Sequence, residues 1–157
     1  MDETEAGPGF AAIQVSRIVD LPGGFAELVA LSLEEDFRAL VRMDVEWRSG
    51  RNRFDAAGEA MFEARAGVQL AGICGLNRDP YTTMPGCGRV RHLYVDPVFR
   101  RRGIGRALVT RVLAAGPPAF VRVRLRTDRA EADAFYRTLG FCVVDGTPDV
   151  THEILVG

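Results

Sequence analysis

Lysine is missing from all 157 residues, so the 20 basic side chains are arginines. That gap excludes a Walker A phosphate loop, which requires Gly-Lys-Ser/Thr. Cysteine is scarce and odd in number. Cys74, Cys87 and Cys142 are widely spaced, which argues against a disulfide framework or a zinc site; no metal is expected. Cys74 and Cys142 stand in apolar strand contexts and read as inert core thiols. No apolar run approaches the ~18 residues of a membrane span, and the acidic start Met1-Asp2-Glu3-Thr4-Glu5 is unlike a signal peptide. A soluble, cytoplasmic protein without membrane attachment is the expectation.

What the chain does have is concentrated between Arg89 and Leu108. A strand rich in β-branched and aromatic residues places Val90, His92 and Tyr94 on one side and Arg91, Leu93 and Val95 on the other. Pro97 ends the pairing because it has no N–H to offer a ladder. Arg100, Arg101 and Arg102 follow, then Gly103-Ile104-Gly105 opens a helix on which Ala107, Leu108 and Val112 recur at helical spacing. Glycine admits positive φ and close approach of a ligand to the backbone. The unpaired N–H groups of the helix start, with Arg106 and the three preceding arginines around them, suit a polyphosphate.

The remainder reads as one domain, residues 10–157, behind a flexible tail at 1–9. With 47% hydrophobic residues the chain can bury a core without staples. A first strand is expected at 12–18, helices at 22–33 and 34–47, and strands at 60–65 and 68–76. Phe37, Leu40, Val41 and Val45 form the apolar stripe of the second helix. A helix at 103–115 and a strand at 120–125 follow, the latter alternating Val121, Val123 and Leu125 with Arg122, Arg124 and Arg126 on a solvated or snorkelling face. Strands alternating with helices and ending in a strand pair give a mixed sheet covered by helices. Charge is uneven: acids, including Glu34, Glu35, Asp36, Asp44, Glu46 and Glu59, dominate the first half, and arginines crowd 89–137. The acidic side hints at a cationic acceptor.

Arg100-Arg101-Arg102-Gly103-Ile104-Gly105 resembles motif A of the GNAT acetyltransferase superfamily, Arg/Gln-x-x-Gly-x-Gly/Ala. Residues 126–141, with Phe135, Tyr136, Gly140 and Phe141, resemble motif B, in which a helix ends in Phe-Tyr-x-x-x-Gly-Phe. Val150-Thr151-His152 is similar to the Ala/Val-Thr-His pattern of the last strand, and the resemblance covers about 12–156. It implies an α/β (mixed α+β) GNAT fold, a mostly antiparallel sheet of six or seven strands flanked by about four helices. It implies acetyl-CoA as co-substrate, its pyrophosphate on the amides and arginines of Arg100, Arg101, Arg102, Gly103, Ile104, Gly105 and Arg106, its pantetheine arm along Leu93, Tyr94 and Val95, with Asp128 counted among the contacts. Tyr136 matches the position that presents a phenol to the CoA sulfur.

The implied reaction is direct acetyl transfer to a small amine or peptide acceptor in a ternary complex, helped by a main-chain N–H at Leu93 or Val95. No acyl-enzyme is expected, since no cysteine stands in a base-activated setting. The general base stays open among His92, Glu46, Glu59, Asp79 and His152, because the start of the motif A strand reads Arg89-Val90-Arg91. Acceptor choice is assigned to residues 34–47, 77–81 and 145–152. No nucleic-acid partner is expected, and a homodimer is left open. A composition rich in arginine, alanine and glycine suggests a bacterial source. Two other readings survive: a non-catalytic acyl-CoA-binding module, and a dinucleotide-binding protein. The second lacks the third glycine of its fingerprint, where Leu108 stands, although Asp128 ends the next strand.

Overall fold

The computed structural model describes residues 12–157, so the expected tail at 1–9 and the first two residues of the expected domain lie outside the described residues. Seven strands and four α-helices follow one another as β1 (Ile13–Ile18), α1 (Phe25–Glu34), α2 (Ala39–Ser49), β2 (Ala60–Ala66), β3 (Gln69–Arg78), β4 (Cys87–Val95), α3 (Ile104–Ala115), β5 (Arg122–Leu125), α4 (Ala130–Thr138), β6 (Cys142–Val143) and β7 (His152–Leu155). They form one sheet in the order β1-β2-β3-β4-β5-β7-β6, in which only β4 and β5 run parallel. This is the mixed, mostly antiparallel sheet expected.

Two apolar layers sandwich it. On one face Leu108, Val109 and Val112 of α3 and Tyr136 of α4 meet Phe62, Cys74, Leu76 and Val90. On the other, Phe25, Leu28, Leu40, Met43 and Trp47 of α1 and α2 cover Met61, Ile73 and Tyr94. Leu108, like Val109 and Val112, is fully buried, so truncating it to alanine costs about 2–5 kcal/mol.

The expected stripe of α2 is displaced. The helix begins at Ala39, after a turn in which Asp36 takes φ 59°, so its phase brings Leu40, Met43 and Trp47 inward and leaves Val45 60% exposed. Cysteine burial also differs: Cys74 and Cys87 are buried, whereas Cys142 lies exposed on the short edge strand β6. Gly140 takes the expected left-handed cap, φ 100°, after α4, and Phe141 N–H returns to the Tyr136 carbonyl at 3.1 Å. On β5, Glu153 of β7 draws Arg122 into an ion pair at 2.8 Å and lies 3.8 Å from Arg124, so this arginine face is partnered rather than merely solvated.

Candidate functional site

The parallel pair closes over only three residue positions, Cys87–Arg89 against Arg122–Arg124, beyond which β4 runs on without a neighbour on that side. A bulge explains the parting. Ile73 pairs Tyr94 and Gly75 pairs Arg91, so the single residue Cys74 opposes both His92 and Leu93, and His92 adopts φ 63°. The extra residue corrects the alternation read from sequence. Val90 joins the α3–α4 layer and Tyr94 the α1–α2 layer, while His92 stacks edge-on against Phe54 on the latter side. Leu93 and Val95 pack toward α3 and α4.

A cleft of about 930 Å³ occupies the opening, bounded by β4, the loop and first turn of α3, the β5–α4 connection and the α1–α2 turn. At one end the chain turns at Asp96, whose Oδ1 accepts from Val98 N–H at 3.0 Å, and Arg101 and Gly103 both take left-handed backbone, φ 66° and 79°. The helix ladder begins only when Ala107 N–H donates to the Gly103 carbonyl, so the amides of Gly103, Ile104, Gly105 and Arg106 have no acceptor within α3. The two glycines differ in purpose. Gly103 supplies the positive φ, with nothing within 4 Å of a notional Cβ. Gly105 is helical, and a Cβ there would stand 3.4 Å from the Phe135 ring, so it sets the spacing between α3 and α4.

Not all of the expected cofactor residues converge. Leu93, Val95, Arg100, Arg101, Gly103, Ile104, Gly105 and Arg106 line the cleft, together with Arg126, Thr127 and Arg129, which the sequence motif does not single out. Asp128 and Arg102 are outside this lining, and Arg102 lies 5.5 Å over the Phe99 ring. Tyr94 lines the cleft from the α1–α2 side, where its hydroxyl donates to Glu35 Oε1 at 2.5 Å. Glu35 also takes Arg100 in a two-pronged pair at 2.6 and 2.9 Å, and Arg100 Nε donates to the Val95 carbonyl at 3.0 Å. Arg100 therefore clamps the α1–α2 turn to the end of β4 instead of reaching freely toward a phosphate. The Arg100 and Tyr94 hydrogen bonds hold the Glu35 carboxyl below its ordinary range, and burial together with that carboxylate pushes the Tyr94 phenol up. Glu35 and Arg100 are 65 residues apart, a separation no local motif encodes.

Of the five candidate bases, His92 alone lines this cleft. Glu59 caps two backbone amides, Ala56 N–H at 3.2 Å and Arg78 N–H at 2.9 Å. Asp79, fully buried, accepts from Tyr81 N–H and faces Arg89 at 3.6 Å. His152 spans Asp133 at 2.7 Å and Thr151 at 2.8 Å, and Glu46 lines an adjoining recess that shares Arg42, Tyr81 and Arg91 with the cleft. His92 is 6% exposed, and neither ring nitrogen has a hydrogen-bond partner. Burial, then the positive charges of Arg91 and Arg42, push its pKa down to about 3, so the ring is a neutral imidazole at physiological pH. Tyr136 reaches the cleft from α4, its ring packed between Phe135 and Phe141, with its pKa raised by burial.

A split sheet with a helix N-terminus and arginines at the mouth of the split makes a cleft whose positive end suits an anionic group. The chain belongs to the GNAT acetyltransferase family, whose acetyltransferase (GNAT) domain model matches residues 57–143. A crystallised protein of Exiguobacterium sp. 255-15, proposed as an acetyltransferase, is 32% identical, with 92% of this chain and 93% of that one covered at a TM-score of 0.81. The N-alpha-acetyltransferase RimI of Mycobacterium tuberculosis is 38% identical over 78 residues, spanning 50% of this chain and 49% of RimI. The chain thus spans about half the length of that curated relative. Ard1 of Thermoplasma volcanium, 20% identical with a TM-score of 0.67 over 94% of this chain and 99% of its own, shares the fold. No helix among the described residues is long and apolar enough to cross a membrane, and no cluster of three or more potential metal ligands occurs among them.

Proposed function

We propose that the chain transfers the acetyl group of acetyl-CoA to an amine acceptor directly, with both substrates held in the cleft at once. The observation that carries this reading is the parting of β4 from β5 immediately beside the uncapped amides of α3. Those amides, with Arg101, Arg106 and Arg129 lining the same end, fit a diphosphate, and the strand edge at Leu93 and Val95 fits an amide-bearing arm. When bound, acetyl-CoA supplies an acetyl group activated as a thioester.

The protein's own contribution is positional and electrostatic. The bulge at His92–Leu93 interrupts the ladder, and in this reading the Leu93 N–H beside it donates to a developing oxyanion, a contribution typically worth about 3–4 kcal/mol. Tyr136 holds a phenolic proton at the inner wall, where burial keeps it un-ionised and able to protonate a departing thiolate. His92, neutral and without internal partners, orients the acceptor's nitrogen rather than storing its proton. Arg91 and Arg42 beside it disfavour a further positive charge, and so shift an incoming ammonium toward the free amine that attacks. Proximity of the two substrates supplies much of the remaining acceleration.

A thiol-release assay with acetyl-CoA and a panel of amines tests the reading. Acceptor-dependent release supports it, and a stable acetyl thioester on Cys74, Cys87 or Cys142 after incubation with acetyl-CoA alone contradicts direct transfer.

A further inference from the structure

We propose that the acceptor is an amine that carries its own carboxylate, gripped by Arg42, Arg89 and Arg91 on the α1–α2 side of β4. The inference rests on the acetyl-transfer reading above and narrows its substrate class.

Nine arginines line the cleft against two glutamates, Glu35 and Glu131. The anionic end of a CoA molecule accounts for the arginines of the α3 and α4 loops, but not for those on the other side of β4. There Glu35 is already engaged by Arg100 at 2.6 Å, which leaves the wall strongly positive. Of the acids of the first half of the chain, Glu46 and Glu59 line a neighbouring recess that shares Arg42 and Arg91 with the cleft, and Glu46 offsets part of the Arg91 charge without pairing with it, which leaves the cleft itself with an excess of arginine.

Arg89 is also under-satisfied, and its two neighbours are weakly engaged. Arg89 is 7% exposed, yet its Nη1 has no hydrogen-bond partner and stands 3.6 Å from Asp79. Arg91, partly buried, makes a single long bond to Asn77 Oδ1 at 3.5 Å, and among the described residues neither Arg91 nor Arg42 takes part in an ion pair. Buried N–H groups without acceptors are unfavourable, and a carboxylate offers the paired oxygens that guanidinium geometry matches. A plain amine would give these groups nothing to bind. A carboxylate here would leave the same molecule's nitrogen close to His92, a residue of the cleft lining whose two ring nitrogens are buried without partners.

The test compares matched acceptors on the intact chain. Alanine, leucine, phenylalanine and glutamate are assayed against their carboxamides, and the dipeptide amides Ala-Asp-NH2 and Ala-Asn-NH2 are added to distinguish an α-carboxylate from a side-chain one. The account expects kcat/KM at least 30-fold higher for the carboxylate member of a pair. It also expects that preference to fall at least tenfold in Arg42→Gln, an exposed position safe for folding, and in Arg91→Gln. Carboxamides used as well as or better than the acids overturn it. Calorimetry gives a readout independent of turnover: in protein saturated with CoA, the preferred free acid binds and its carboxamide does not. Should no amine be acetylated at all, the transfer reading fails, while the calorimetric pair still decides the carboxylate.

Discussion

The wall of the cleft made by α3 and α4 offers main-chain amides within one run, residues 103–106, while the facing wall gathers Glu35, Arg42, Arg89, Arg91 and Tyr94 from separate elements. The first is secured by backbone geometry, a left-handed Arg101 and Gly103 ahead of an uncapped helix. The second exists only when the α1–α2 turn docks on β4, and its chemistry resides in side chains alone. One wall therefore depends on backbone conformation within a single loop, and the other on side chains gathered by tertiary packing.

Perturbing the backbone wall has the largest expected effect. In Gly103→Asp the new carboxylate caps the same amides that face the ligand. The left-handed backbone costs about 1–2 kcal/mol, and the cap returns about 0.5–2 kcal/mol. Thermal stability should therefore change little while the Kd for acetyl-CoA, read by calorimetry, rises at least ~100-fold, equal to about 2.7 kcal/mol. A smaller loss with a collapse in stability would mean that the loop is structural.

Next comes Tyr136→Phe, which should lower kcat about 10²-fold with an unchanged Kd for acetyl-CoA, since only the proton donor is removed. An unaltered kcat would favour a binding module without transfer. His92→Phe keeps the packing against Phe54 but removes both ring nitrogens, and should reduce kcat/KM for the acceptor about tenfold without altering cofactor affinity. This variant separates the two walls most cleanly, because a change in acetyl-CoA binding would show them to be one unit.

The smallest effect belongs to Glu35→Gln. Glu35 and Arg100 are about a third exposed, so solvent screens their pair and its loss at neutral pH should stay below about 1 kcal/mol. Because the folded Glu35 pKa lies below the ordinary 4.5, its stabilisation is fully present above that value and is lost as pH falls through the folded pKa. Melting curves of wild type and variant should therefore differ most near neutrality and converge in acid. A gap that widens in acid would contradict the assignment.

The contrast between the walls also explains what could be read in advance. The Gly-x-Gly turn, the arginine run, Phe135-Tyr136 and Gly140-Phe141 are contiguous signals, and with the hydrophobic periodicities they indicate the fold and the end of the cleft proposed for the cofactor. The bulge at His92 is not legible in sequence, because its positive φ is imposed by pairing against Cys74 and Gly75 rather than by the residue's own preference. Without it the side to which Tyr94 points is misassigned. Arg100 reads locally as a phosphate ligand, yet Glu35, 65 residues earlier, takes it up. Arg89 and Arg91 look like exposed strand positions until α2 and the Tyr81 ring cover them, the latter 4.6 Å from Arg89 Cζ.

The central claim is that main-chain amides at the start of α3 hold the cofactor in the split between β4 and β5. Titration of acetyl-CoA into the intact protein, repeated with Gly103→Asp, addresses it directly. One saturable site, weakened by salt and abolished by the substitution in a protein that melts as the wild type does, is the predicted result. Equal heats for the two proteins, or none for the wild type at millimolar ligand, would contradict it.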